Sequence, residues 1–201
     1  MLRWMPPIGM RSLWLSLVFL TGWSGLDALG VAPEQAFVWS AVAAQLAHFG
    51  LNLPANHRRL SDITTNARRS ILQVGALGLG AVALQLWWND PWFTQRCLTA
   101  VALVLLGAVL LNYGGDAEDR AAYVRATGLA SATDAGIRQY WRLRALTLML
   151  VIAVNEALLA SATPLGARVA VLALLPMALH VLFFVGVWLT WPIDEEGEAG
   201  D

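Results

Sequence analysis

Six apolar runs, each close to twenty residues long and separated by short polar stretches, dominate this chain. They extend from Ser12 to Val31, Ala36 to Leu53, Ser70 to Trp88, Cys97 to Tyr113, Ala145 to Thr163, and Val169 to Trp191. Runs of that length match the roughly 30 Å hydrocarbon core of a bilayer, since a helix rises about 1.5 Å per residue. Lipid offers backbone groups no hydrogen-bond partner, so a spanning segment must be a helix or one strand of a closed barrel. Barrel strands alternate apolar and polar residues, and Leu103-Val104-Leu105-Leu106 does not. The expected fold is therefore all-α: a polytopic membrane protein with six transmembrane helices, forming one integral membrane domain over residues 1–201.

Composition excludes the main alternatives. Apolar residues make up 58% and charged residues 13%, against roughly 45–50% and 25% in soluble domains. Such a chain is neither a soluble enzyme nor a disordered tail. A formal net charge of −1 leaves no basic footprint for a phosphate backbone, so nucleic acid is not an expected partner.

Orientation follows from arginine. All 13 basic residues are Arg. Arg3 and Arg11 precede the first run, Arg58, Arg59, Arg68 and Arg69 fill the second loop, and Arg120, Arg125, Arg138, Arg142 and Arg144 lie in or beside the fourth. Only Arg96 and Arg168 fall on the other side. The positive-inside rule then puts both termini in the cytoplasm. Tryptophan agrees: Trp87, Trp88 and Trp92 cluster at one membrane level and Trp141, Trp188 and Trp191 at the other, as amphipathic indoles prefer. The first run can also be read as a signal peptide, with Arg3 and Arg11 as its basic region and Ala28-Leu29-Gly30 as its cleavage site. Five spans would then remain, although the run continues well past Leu20.

One connection is long, a cytoplasmic loop over residues 114–140. Asp116 could cap a short helix there, with Tyr123, Val124, Arg120 and Arg125 lying against the anionic leaflet; a solvated linker is the alternative. The stretch from Ile193 to Asp201 carries five acids and no base and is expected to be a disordered tail.

Chemistry inside the membrane is confined to a few positions. An ionisable group costs roughly 2.5–3.5 kcal/mol at the bilayer centre, which singles out Asp27, Glu156 and His180. Asp27 is close enough to a span end to reach the interface. Glu156 and His180 fall near the midpoints of consecutive runs, so they are expected to face each other, with Asn155 at the edge of the same cluster. Such a cluster could relay protons or hold a small ion, or it could simply fix helix register. His48 and His180 are the one histidine pair that could ligate haem, but they differ in depth by some 8 Å by helical rise, so no cofactor is expected. Pro176 frees the Leu172 carbonyl four residues earlier and can kink the last span.

Gly75, Ala76, Gly78 and Gly80 give the third run a small face suited to close helix packing or to a homo-oligomer. Cys97 stands alone, which excludes internal disulfides and multi-cysteine metal sites. The chain carries no phosphate loop, no G-x-S-x-G elbow and no H-E-x-x-H, and His48, His57 and His180 never fall at metal-ligand spacing. Neither catalytic nor metal-binding residues are expected.

One stretch resembles a family of bacterial inner-membrane-spanning proteins, intracellular septation protein A. Members end their third span in an aromatic pair, a short Asp-containing turn and a Phe, with a Thr six residues later. Here that reads Trp87-Trp88-Asn89-Asp90-Pro91-Trp92-Phe93, then Thr99. The family's fifth span opens near Trp and Arg and carries Asn-Glu late, as do Trp141, Arg142, Arg144 and Asn155-Glu156; Leu175-Pro176 matches the last span. The resemblance covers residues Val74 to Leu189; the Lys-Pro before the family's Thr is Cys97-Leu98 here, and the aromatic-Lys pair opening its last span is missing. It implies a non-enzymatic role in envelope integrity, membrane homeostasis and septation, with membrane lipids and division or cell-wall synthesis proteins as partners. The competing expectation, from the residues alone, is a small proton- or ion-coupled transporter centred on Asn155, Glu156 and His180.

Overall fold

The computed structural model describes residues 10–63, 67–113, 117, 121 and 134–190. Its regular structure there is entirely helical: α1 (Met10–Ala28), α2 (Pro33–Ile63), α3 (Ala67–Trp88), α4 (Pro91–Tyr113), α5 (Asp134–Ala160) and α6 (Leu165–Thr190). Among the described residues, three stretches are long and apolar enough to cross a membrane: Pro91–Leu111, Asp134–Ala160 and Leu165–Val187. Gly75–Trp88 in α3 is a shorter apolar helix. Tyr123, Val124 and the acidic tail from Ile193 lie outside the described residues.

Several helices outrun the apolar runs that mark them. α2 continues ten residues past Leu53, α4 starts six before Cys97, and α5 starts eleven before Ala145. A helix needs only backbone bonding and a cap to persist into polar sequence, whereas hydropathy traces only its greasy part. The last seven residues of the expected 114–140 loop are thus the first two turns of α5, with Asp134 favourably placed against the N-terminal dipole.

Turn chemistry explains why sequential helices fold back. Gly30 ends α1 in the left-handed region (φ +75°), where glycine carries no Cβ penalty, and the Gly30 and Val31 N–H groups bond back into the last turn. Asn89 ends α3 at φ +48°, a conformation that asparagine tolerates better than most residues. Asp90 then caps α4: its Oδ1 accepts from the Trp92 N–H at 3.0 Å. Pro91 opens α4, where the missing N–H costs nothing. Phe93 returns to stack on Trp88 at 4.7 Å. The Asn-Asp-Pro turn is thus a complete helix stop and start within three residues.

The helices close into a ring. α1 packs on α2 and α6, α4 on α5, and α5 on α6, while lighter contacts of α2 with α4 and α6 complete the circuit. α3 rests outside, mainly on α2. One core cluster joins Phe19 of α1, Phe37, Val38 and Val42 of α2, and Val169 and Ala173 of α6. Phe37 is the hub, with Phe19 and Trp23 meeting it edge-on at 5.7 and 6.4 Å. A second cluster gathers Ile137, Tyr140 and Trp141 of α5 with Val109 of α4. The small face of α3 is used only in part: a Cβ on Gly75 would meet Phe49 at 3.6 Å, whereas Gly78 and Gly80 have nothing within 4 Å.

Candidate functional site

Where α4, α5 and α6 share an end, six polar side chains form one hydrogen-bonded network. Asn155 is its centre and is wholly buried. Its Nδ2 donates to the Gln95 carbonyl and to Thr99 Oγ1, both at 2.8 Å, and its Oδ1 accepts from Gln95 Nε2 at 3.2 Å. Glu156 accepts from Thr99 Oγ1 and from Arg96 Nη1, each at 2.6 Å. On the far side Arg168 Nη1 donates to Gln95 Oε1 at 2.9 Å, and Arg168 Nε donates to the Thr163 carbonyl at 2.6 Å. Gln95, Arg96 and Thr99 come from the first turns of α4, Asn155 and Glu156 from the last turns of α5, and Arg168 from the first turn of α6.

Helical spacing makes this possible. Gln95 and Thr99 are four apart, hence stacked on the α4 face that Asn155 meets. Arg96 and Glu156 are each the next residue along, so their pair sits toward the rim, with side chains 44% and 32% exposed. Charges at that exposure stabilise little. Glu156→Gln, which keeps an acceptor for Thr99, is expected to cost under about 1 kcal/mol, read as a small shift in thermal unfolding.

The structure brings Asn155 and Glu156 into one site, joins Thr99 to them, and leaves His180 out. The Glu156–His180 pairing anticipated from span midpoints does not form. Counted from the turn between α5 and α6, Glu156 is four residues away and His180 fifteen, a difference of about 16 Å by helical rise. The error comes from starting the fifth span at Ala145 rather than Asp134, which moved the midpoint toward Glu156. The true partners were visible: Arg96 and Arg168 are the two arginines set apart from the other eleven by the expected topology, and both end in this network.

His180 lies instead on a partly open cavity of about 360 Å³ lined by α1, α2, α4, α5 and α6. Its walls are largely apolar, from Phe19, Phe37, Ala44, Leu98, Leu172 and Ala173 among others. His48, exposed on α2, is not among its lining residues. Among the described residues no group of three His, Cys, Asp or Glu side chains could hold a metal ion. Gln45 of α2 and Gln85 of α3 exchange two hydrogen bonds at 3.1 Å, a second interhelical tie of the same type. Compared with known protein families, with curated proteins and with solved structures, the chain matches none.

Proposed function

We propose that this is a non-enzymatic, six-span protein of the bacterial inner membrane, with both termini in the cytoplasm. Its role is in envelope integrity, membrane homeostasis and septation, exercised through contacts with lipids and with division or cell-wall synthesis proteins. Three membrane-length helices and the eleven-to-two arginine asymmetry support the topology. The observation that carries the non-catalytic reading is the use made of Glu156: both carboxylate oxygens are engaged by Thr99 and Arg96. An acid held that way ties helices together instead of cycling protons. The envelope role rests on the septation-protein resemblance. Thr99, Asn155 and Glu156, all family-like positions, form one hydrogen-bonded unit.

A proton-coupled carrier would need Glu156, Asn155 and His180 to act on one pathway, and His180 stands about 16 Å away in depth. Complementation separates the two readings. A deletion strain is expected to form filaments or lyse at low osmolarity, and wild type and Glu156→Gln at matched levels should rescue it equally. Rescue by wild type alone would move the reading to transport. Normal length and survival in the deletion strain would overturn the envelope role.

A further inference from the structure

The cavity carries more hydrogen-bonding capacity than the protein uses. Ser16 Oγ, Thr94 Oγ1 and His180 Nε2 are buried and lack a hydrogen-bond partner among the described residues, and all three residues line it. Ser16 and Thr94 are themselves only 8% and 3% exposed. Orphaned polar atoms of this kind cost about 1–3 kcal/mol each if left dry. Their presence around one cavity indicates a space built for an occupant.

Position along the helices sorts the lining into zones. From the end where α4, α5 and α6 share the polar network, Thr94 is three residues in, His180 fifteen and Arg144 sixteen. α1 ends near the same level, since α1 packs on α6 and Phe19 and Ala173 share one core cluster, and Ser16 is twelve residues from its end. Ser16, His180 and Arg144 thus gather at one end, about 19 Å from Thr94 by helical rise at its furthest. The stretch between is walled by Phe19, Phe37, Leu98, Val151 and Leu172. Among the described lining residues Arg144 is the exposed one, and it marks the mouth. Among the described residues no acid lines the cavity and none gives Arg144 a carboxylate partner.

We propose that this cavity binds a single-chain anionic amphiphile, its chain along the apolar waist and its head group at Arg144, Ser16 and His180. A guanidinium with a hydroxyl and an imidazole beside it suits a carboxylate or a phosphate. The limited volume of the apolar stretch behind it suits one chain rather than a two-chain phospholipid. A volume of about 360 Å³ falls within the 300–1,000 Å³ of small-molecule sites.

Photolabelling of the full-length protein in a mild non-ionic detergent tests this. A diazirine-bearing palmitate should modify peptides carrying Phe19, Leu98 or Leu172 saturably, and unlabelled palmitate should compete. Hexadecanol should compete about fivefold more weakly, the scale of one partly exposed charge pair, and Arg144→Gln should erase that difference. Stronger competition by hexadecyl phosphate than by palmitate would assign the head group as a phosphate; the reverse would assign a carboxylate. Ala173→Phe, which fills the waist, should abolish labelling in protein that still elutes as a single species. Labelling confined to lipid-facing residues such as Leu77 and Val104, or unaffected by competitor, would overturn the proposal, as would equal competition by hexadecanol in the wild type. These readouts in the wild type stand even if Ala173→Phe does not fold.

Discussion

Replacing Asn155 with leucine is expected to lower the thermal unfolding midpoint in detergent by about 5–10 °C, the largest effect of any change in the polar network. The side chain is fully buried and makes three hydrogen bonds, all to α4. Interhelical bonds within membranes average about 0.6 kcal/mol, so the bonds alone give roughly 2 kcal/mol. Leucine also leaves the Gln95 amide and carbonyl facing an apolar group; a buried unsatisfied group costs about 1–3 kcal/mol. With leucine's own apolar burial offsetting about 1 kcal/mol, a loss of roughly 2–4 kcal/mol follows, and at this chain length each kcal/mol moves the midpoint by about 2–4 °C. Glu156→Gln supplies the contrast, because its partner Arg96 is 44% exposed. If the two variants unfold at the same temperature, the buried amide is not the keystone. Thr99→Val should fall between them, since Thr99 serves Asn155 and Glu156 at once but each keeps another bond.

The contrast between these neighbours also shows which parts of the molecule hydropathy can reach. Runs of apolar residues located the six described helices, because a long apolar segment must satisfy its backbone groups internally. Their ends were less visible: Asp134 and Pro91 begin helices in polar sequence, where capping and local bonding decide and hydropathy is silent. Pairing across helices was partly legible. Asn155, Glu156 and Thr99 were each singled out from sequence, yet Gln95, which binds both Asn155 and Arg168, carries no signal beyond its spacing from Thr99. Treating depth as distance from a span midpoint amplified the boundary error into a wrong partner for Glu156. The cavity was not legible at all, since it exists only where side chains from five helices fail to fill the space between them.

Glycine substitutions probe that packing directly, and Gly22→Leu is expected to be the most damaging of them. An added Cβ at Gly22 would meet the Ser40 Cβ at 3.1 Å and its Cα at 3.5 Å. The obstacle is near the α2 backbone, and Ser40 is pinned further by donating to the Ala36 carbonyl at 2.6 Å. Nothing there can swing aside, so α1 must move off α2, and Phe19 and Trp23 would lose their seats on Phe37. Overpacking of this kind costs about 1–3 kcal/mol, and leucine's further atoms place Gly22→Leu at the upper end. Gly186→Ala meets Leu143 at the same 3.1 Å, but only at the tip of a flexible side chain that can turn. A Cβ at Gly78 meets nothing within 4 Å among the described residues, and the exposed face there leaves room for the rest of a leucine. Thermal unfolding should therefore rank Gly22→Leu far below Gly186→Ala, with Gly78→Leu close to wild type. Equal destabilisation by the first and third would mean that α1 and α2 do not cross where Gly22 meets Ser40. A large loss at Gly78 alone would instead reveal a partner covering the open face of α3.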